Sequence, residues 1–252
     1  MIINNIALII QARLGSTRLP NKILLPFYKE KSILDLLVER IKTIDNANII
    51  LATTNSDRDI PLIEKAEKAN IHCFRGSEND VLQRFIDTAE YFGYRKLIRI
   101  CSDNPFLDVN SLKYLIDQAN HSDYDYISFC VNNTPSIKTH FGFWSEYVTI
   151  DSLKQVREQT SESLYHEHVT NYIYTHPDIF KIKWLETPDC LSQRNDIRLT
   201  IDTESDFVNA QNIYSEIYSK IDDPKIEDIV SYLDTHLEYL SIMKQEIYKN
   251  SK

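Results

Sequence analysis

At 252 residues, with 42% hydrophobic and 26% charged side chains and no low-complexity tract, the chain is long enough for one large α/β domain around a sizeable core. Its formal charge of -9 at pH 7 excludes a general binder of nucleic acid or anionic membrane, which needs a basic surface, although a local basic cluster can still hold a small anion. The longest apolar run, residues 6–10, is far too short to span a bilayer, and the opening MIINNIALII lacks the basic stretch and cleavage site of a signal peptide.

Strand and helix patterns alternate from the start. Residues 6–10 read as a buried strand, and Ser32 caps a helix with Ile33, Leu34, Leu37, Val38 and Ile41 at helical spacing. A strand follows at 48–53, a helix at 57–69, a short strand at 71–74 and a helix at 80–91. Next come a strand at 96–101, a helix at 109–119 and a strand at 124–131. The second half is less regular: a loop at 132–139, a short strand at 146–150, helices at 151–158 and 167–174, and strands at 180–185 and 197–201. Two amphipathic helices, 204–218 and 226–236, and a polar helical tail close the chain.

Strands separated by helices of about a dozen residues imply right-handed crossovers and an α/β fold with a mostly parallel sheet. No linker separates a second domain, so residues 1–252 read as one domain with an excursion at about 132–188 for acceptor or dimer contacts. Ligands bind at the carboxyl ends of strands in such sheets, so the loops starting at Gln11, Thr53 and Ser102 should share one rim. Cys73, Cys101, Cys130 and Cys190 are widely spaced, with no C-x-x-C pair, and read as buried free thiols. Together with the missing leader features they predict a reducing cytoplasm.

The loop QARLGSTRLPNK after the first strand places Arg13, Arg18 and Lys22 within ten residues and contains no acid. Gly15, Ser16 and Thr17 add backbone amides and hydroxyls. That combination suits a polyphosphate, the amides and hydroxyls binding oxygens and the cations neutralising charge. Neither G-x-x-x-x-G-K-[ST] nor G-x-G-x-x-G occurs. Asp103 and Asp202 each end a strand-like segment at the expected rim, where two carboxylates could hold a magnesium ion. Asp202 could equally cap the helix that begins after it. Pro105 fits a rigid turn that aims Asp103.

The string Ala12-Arg13-Leu14-Gly15-Ser16-Thr17-Arg18-Leu19-Pro20-Asn21-Lys22 closely resembles the signature of the acylneuraminate and Kdo cytidylyltransferases, nearest the branch named for spore coat polysaccharide biosynthesis protein F. The resemblance continues at Ala52-Thr53-Thr54, at residues 74–84 (FRGSENDVLQR), at residues 99–105 (RICSDNP), at residues 166–170 (HEHVT) and at residues 198–203 (RLTIDT). It implies a nucleotide-diphospho-sugar transferase-like, Rossmann-like fold, a soluble homodimer, and transfer of CMP from CTP to a small sugar acid or phosphorylated acceptor with release of pyrophosphate. Arg13, Lys22 and Asp103 are then the catalytic candidates, with Mg2+ on Asp103 and Asp202. Ala12, Arg13, Gly15, Ser16, Arg18, Lys22, Thr53, Thr54, Ser77 and Arg84 are the nucleotide-binding candidates. Glu146, His166 and His168 are the acceptor candidates. Ser102 departs from the glycine common before this aspartate.

Several positions carry competing readings. Thr53 and Thr54 could be ordinary strand-end hydroxyls, and Asp80 could simply cap a helix. Arg99, within a strand, reads as part of a solvated or salt-bridged face rather than as a ligand. His166 and His168 stand two apart, which in a helix turns their side chains away from one ion. Asp123-Tyr124-Asp125 matches the D-x-D motif of a GT-A-like glycosyltransferase using a nucleotide sugar, the alternative function, but it begins a strand and so lies on the wrong rim. Trp144 and Trp184 read as packing residues.

Overall fold

The structure, a computed structural model, describes residues 5–250; residues 1–4, part of the segment read above for leader features, lie outside the described residues, as do 251 and 252. Alternation along β1 (Ile6–Gln11) explains the layering. Leu8 and Ile10 enter one hydrophobic cluster and Ala7 and Ile9 another, so the strand is buried on both faces. The loop after it leads into a small hairpin, β2 (Pro26–Tyr28) and β3 (Lys31–Ser32), which the strand patterns did not announce. Phe27 is its anchor, 2% exposed and edge-on to Phe207 at 5.4 Å.

α1 (Ile33–Ile41) starts at a reciprocal cap between Ser32 and Asp35. β4 (Asn48–Thr54), α2 (Ile60–Lys68), β5 (His72–Gly76) and α3 (Val81–Phe92) follow; Asp80 caps α3 and Gly93, at φ 76°, ends it in the left-handed region. β6 (Lys96–Cys101), α4 (Val109–Asn120), β7 (Tyr126–Val131) and the two-residue β8 (Thr134–Pro135) complete the first half. The second half comprises β9 (Glu146–Thr149), α5 (Ile150–Gln159), α6 (Ser163–Glu167), α7 (Asn171–Thr175) and β10 (Ile182–Leu185). Then come α8 (Glu204–Tyr218), α9 (Ile226–Thr235) and α10 (Leu237–Asn250).

The main sheet runs β10-β7-β9-β6-β1-β4-β5, with β8 on β7. β5, β4, β1 and β6 are parallel, β9 is antiparallel to both β6 and β7, and β10 is parallel to β7. The α/β reading with a mostly parallel sheet therefore holds. The 132–188 stretch is woven into the sheet, supplying the interior strand β9 and the edge strand β10. Two expected elements differ. The helix expected at 167–174 is broken into α6 and α7, and residues 197–201 form no strand. Ile197, Leu199 and Ile201 are buried, as is Arg198 between them, but the segment's amides meet isolated carbonyls, Leu199 and Thr200 that of His140 and Ile201 that of Asp103. All four cysteines are free and half-buried rather than buried. Trp144 is buried, whereas Trp184 is 40% exposed on the edge strand. Among the described residues no helix is long and apolar enough to cross a membrane.

Candidate active site

The carboxyl ends of the parallel neighbours β6, β1 and β4 put the loops after Cys101, Gln11 and Thr54 on one rim. The loop after β1 is held from below by Asp59, which is 1% exposed. Its Oδ1 accepts the Leu14 amide at 2.8 Å and its Oδ2 the Thr54 hydroxyl. Asn21, at φ 59°, then turns the chain so that Lys22 points back across the rim. A side chain at Gly15 would meet the Arg58 guanidinium, since an added Cβ lies 2.9 Å from its Cζ.

Lys22 is the centre of the arrangement. Its side chain is 11% exposed, and its Nζ lies 2.9 Å from Asp103 Oδ2 and 3.6 Å from Asp202 Oδ1. It also donates to the Ile201 carbonyl. Arg18 reaches Asp202 Oδ1 at 2.9 Å, and the buried Arg198 reaches Asp202 Oδ2 at 2.9 Å. Arg198 makes a two-pronged pair with Asp206, at 2.7 and 2.9 Å. Asp206 in turn forms a reciprocal cap with Thr203 at the start of α8. Capping thus falls to Thr203 and Asp206, which leaves Asp202 facing the rim.

These groups border a cavity of about 330 Å³ whose wall includes Arg13, Gly15, Ser16, Arg18, Asp103 and Asp202, with Lys22 and His168 also exposed to it. Larger hollows of about 380 and 510 Å³ lie against α1, away from the strand ends. Volume does not select the site; converging charges do. Asp103 and Asp202 present hard oxygens on either side of one ammonium, so the pair already accommodates positive charge between them. That donor chemistry fits a magnesium ion.

The remaining expected site residues stand behind this surface. Ala12 is 1% exposed and its amide bonds the Ala52 carbonyl. Thr53 and Thr54 are fully buried, and Ser77 accepts the Asp80 amide. Arg84 is fully buried beneath Gly76, donates to the Ser77 carbonyl at 2.6 Å, and leaves Nε and Nη2 without partners among the described residues. Burial, then the charge of Arg13, pushes its guanidinium down to about 10. These residues shape the wall and do not line the cavity.

The acceptor candidates separate. Glu146, 2% exposed, accepts from Arg99 at 2.7 Å, from Thr170 and from the Tyr126 hydroxyl, so it sits under the floor and not at a binding surface. Arg99 in turn reaches Gln11 at 3.1 Å and is salt-bridged and buried, not solvated. His166 bonds Asp80 Oδ2 and the Thr160 carbonyl, tying α6 to the start of α3. Only His168 lines the cavity. Cys101 lines it too, but burial pushes its thiol up to about 11, which leaves no thiolate nucleophile at neutral pH. Asp123 pairs with Lys181 at 2.9 Å and Asp125 accepts the Lys181 amide, both at the start of β7 and on the opposite rim. The sequence reading missed Arg58, Asp59 and Arg198; of these only Arg198, four residues before Asp202, had a visible signal.

A family model described as cytidylyltransferase matches residues 7–243. Spore coat polysaccharide biosynthesis protein SpsF of Bacillus subtilis is 37% identical over 223 residues, covering 84% of this chain and 88% of that one. An uncharacterised protein of Methanocaldococcus jannaschii is 35% identical over 247 residues, 96% of each chain. A solved cytidylyltransferase from Leptospira borgpetersenii superposes with a TM-score of 0.78 at 27% identity, covering 94% and 96% of the two chains. A CMP:2-keto-3-deoxy-manno-octonic acid synthetase complexed with CTP shares the fold, with a TM-score of 0.63 at 14% identity over 82% of this chain and 97% of that one.

Proposed function

Because the chain belongs to the cytidylyltransferase family, we propose that it transfers CMP from CTP to a small sugar acid or phosphorylated acceptor, releasing pyrophosphate, in the biosynthesis of a surface polysaccharide or glycoconjugate. The observation that carries this reading is Lys22, poised between Asp103 and Asp202 at the mouth of a cavity walled by the loop after β1.

That loop offers amides at Gly15 and Ser16 and the cations Arg13, Arg18 and Lys22, which bind the triphosphate and offset the charge that builds as the α-phosphorus is attacked. Asp103 and Asp202 would hold Mg2+, which when bound neutralises triphosphate oxygens and polarises the reacting phosphoryl group. Asp59 and Arg198 keep the loop and Asp202 in place, so the reacting groups meet already oriented. No serine or cysteine nucleophile is required, and an acceptor that is itself a phosphate or phosphonate needs no general base. The reading includes a cytoplasmic location and a homodimer through the 132–188 stretch, on which Leu164, Ile179 and Trp184 stand exposed.

The test is pyrophosphate release with each of the four nucleoside triphosphates plus magnesium, against a panel of sugar acids and sugar phosphates. Release with CTP and one acceptor, lost in Lys22→Ala and Asp103→Ala, supports the reading. No release with any pair, and no thermal shift with CTP, overturns it.

A further inference from the structure

A second cavity, of about 310 Å³, adjoins the first and shares with it Cys101, Asp103, His168 and Asp202. Its far wall carries Lys138, His140, Gly142 and Trp144. Gly142 is at φ 69°, and a Cβ there would come within 3.3 Å of Thr200, so the wall folds tightly against the segment that precedes Asp202.

The donors on this wall are unspent. Lys138 forms no ion pair among the described residues, and its ammonium lies over the face of Tyr174, 5.6 Å from the ring centre. His140 Nδ1 lies 2.9 Å from Arg198 Nη1. A guanidinium only donates, so Nδ1 accepts and the ring proton sits on Nε2. Burial and then the Arg198 charge lower the His140 pKa, which keeps the ring neutral at pH 7. Its Nε2–H has no partner among the described residues, nor does the indole N–H of Trp144, which is 7% exposed. The acids on the shared wall are already answered, Asp103 by Lys22 and Asp202 by Lys22, Arg18 and Arg198. An incoming anion therefore meets free donors without two uncompensated carboxylates.

We propose that this second cavity is the acceptor subsite, and that it takes a phosphoryl group, phosphate or phosphonate, on the Lys138 ammonium and the Nε2–H of His140. The inference rests on the nucleotidyltransferase reading, because it places the acceptor across Asp103 and Asp202 from the triphosphate. Phosphoryl is favoured over carboxylate by the kind of donor. Carboxylates are best matched by a free guanidinium fork, and the guanidinium nearest this wall, Arg198, is consumed by Asp206, Asp202 and His140. What remains are point donors, which suit a dianion with three oxygens.

The experiment titrates inorganic phosphate into the full chain by calorimetry, with a non-hydrolysable CTP analogue and magnesium saturating the first cavity. Acetate is titrated in parallel. One phosphate per chain should bind, weakened about tenfold or more in Lys138→Ala and in His140→Asn. Lys181→Ala, on the opposite rim, should leave it unchanged, and thermal melts establish that each variant is folded. Phosphate that fails to bind, or binds the variants as well as the parent, overturns the subsite. Acetate bound with the same dependence on Lys138 overturns the phosphoryl preference. Failure of the CTP analogue to bind instead overturns the nucleotidyltransferase reading; phosphate titrated alone then still reports on Lys138.

Discussion

At Lys22 one ammonium answers two carboxylates, and its chemistry follows from that economy. Replacing it in Lys22→Met leaves Asp103 and Asp202 facing each other with less positive charge between them, and removes a cation from the triphosphate wall. Loss of one such stabilising donor should lower kcat by about 10²–10³; a steady-state assay giving a drop below tenfold would show that Lys22 only packs. Asp59 works one layer down. In Asp59→Ala the Leu14 amide and the Thr54 hydroxyl lose their acceptor in a dry setting, a cost of about 1–3 kcal/mol. Urea unfolding should register that loss and KM for CTP should rise, whereas a variant unchanged in both would mean the loop holds its shape unaided. The two residues differ in how far sequence exposes them. Lys22 stands in a string with Arg13 and Arg18, so its company is visible. Asp59 lies 45 positions from the amide it holds, and nothing local distinguishes it from a solvated acid, as nothing distinguishes His140 until Arg198 is seen against it.

Elements were legible where their ends carry chemistry. The caps at Ser32 and Asp80 mark helices that stand where the spacing put them, whereas the helix at 204–218 is capped by Thr203 and not by the Asp202 that its sequence offered. Segment 197–201 misled because apolar side chains at alternate positions also suit a chain that lies between two layers, and a chain can do that without a ladder partner. β9 gave no hint that it enters antiparallel between β6 and β7, since its four residues fit either direction. Within α6, His166 meets Asp80 at the start of α3. Both ring nitrogens of His166 face acceptors, Asp80 Oδ2 and the Thr160 carbonyl, so the charged form satisfies both. Partial burial works against that charge, but these hydrogen bonds and the Asp80 carboxylate outweigh it and the pKa is raised. A raised folded pKa gives a contribution complete below the unfolded value of about 6.5 and lost as pH climbs through the folded one. The melting-temperature gap between the parent and His166→Asn should accordingly be wider near pH ~5.5 than near pH ~9. An equal gap at both, or a wider one in base, removes the imidazolium from the account.

Across the whole molecule, the site is closed by the two ends of the chain. β1 and its loop supply the cations, while α10 braces the far side of the same charges. Thr203 donates to Glu246 at 3.0 Å, the Arg198 amide meets the Met243 sulfur at 3.3 Å, and Arg18 donates to Asn250 at 3.0 Å. Leu240 and Met243 seal the contact at 4% and 1% exposed. Parallel sheets let distant segments share a rim in this way, and only the closed structure reveals that the polar tail belongs to the site. A chain stopped after residue 236 should lose about 3–6 kcal/mol from those two side chains alone, and about 2–4 °C of melting temperature for each kilocalorie. Packing by itself would produce that much. The sharper variant is Glu246→Ala, which keeps the apolar seal and removes the partner of Thr203 beside Asp202, together with the Lys249 ion pair on the same carboxylate. With CTP and magnesium at about a hundred times Kd, bound nucleotide should add about 2.7 kcal/mol to the parent, seen as a rise in melting temperature. In Glu246→Ala the same ligand concentrations should give a smaller rise, because Asp202 and the Arg198 pair are less firmly placed. An undiminished rise would mean that α10 stabilises the fold without tuning the rim.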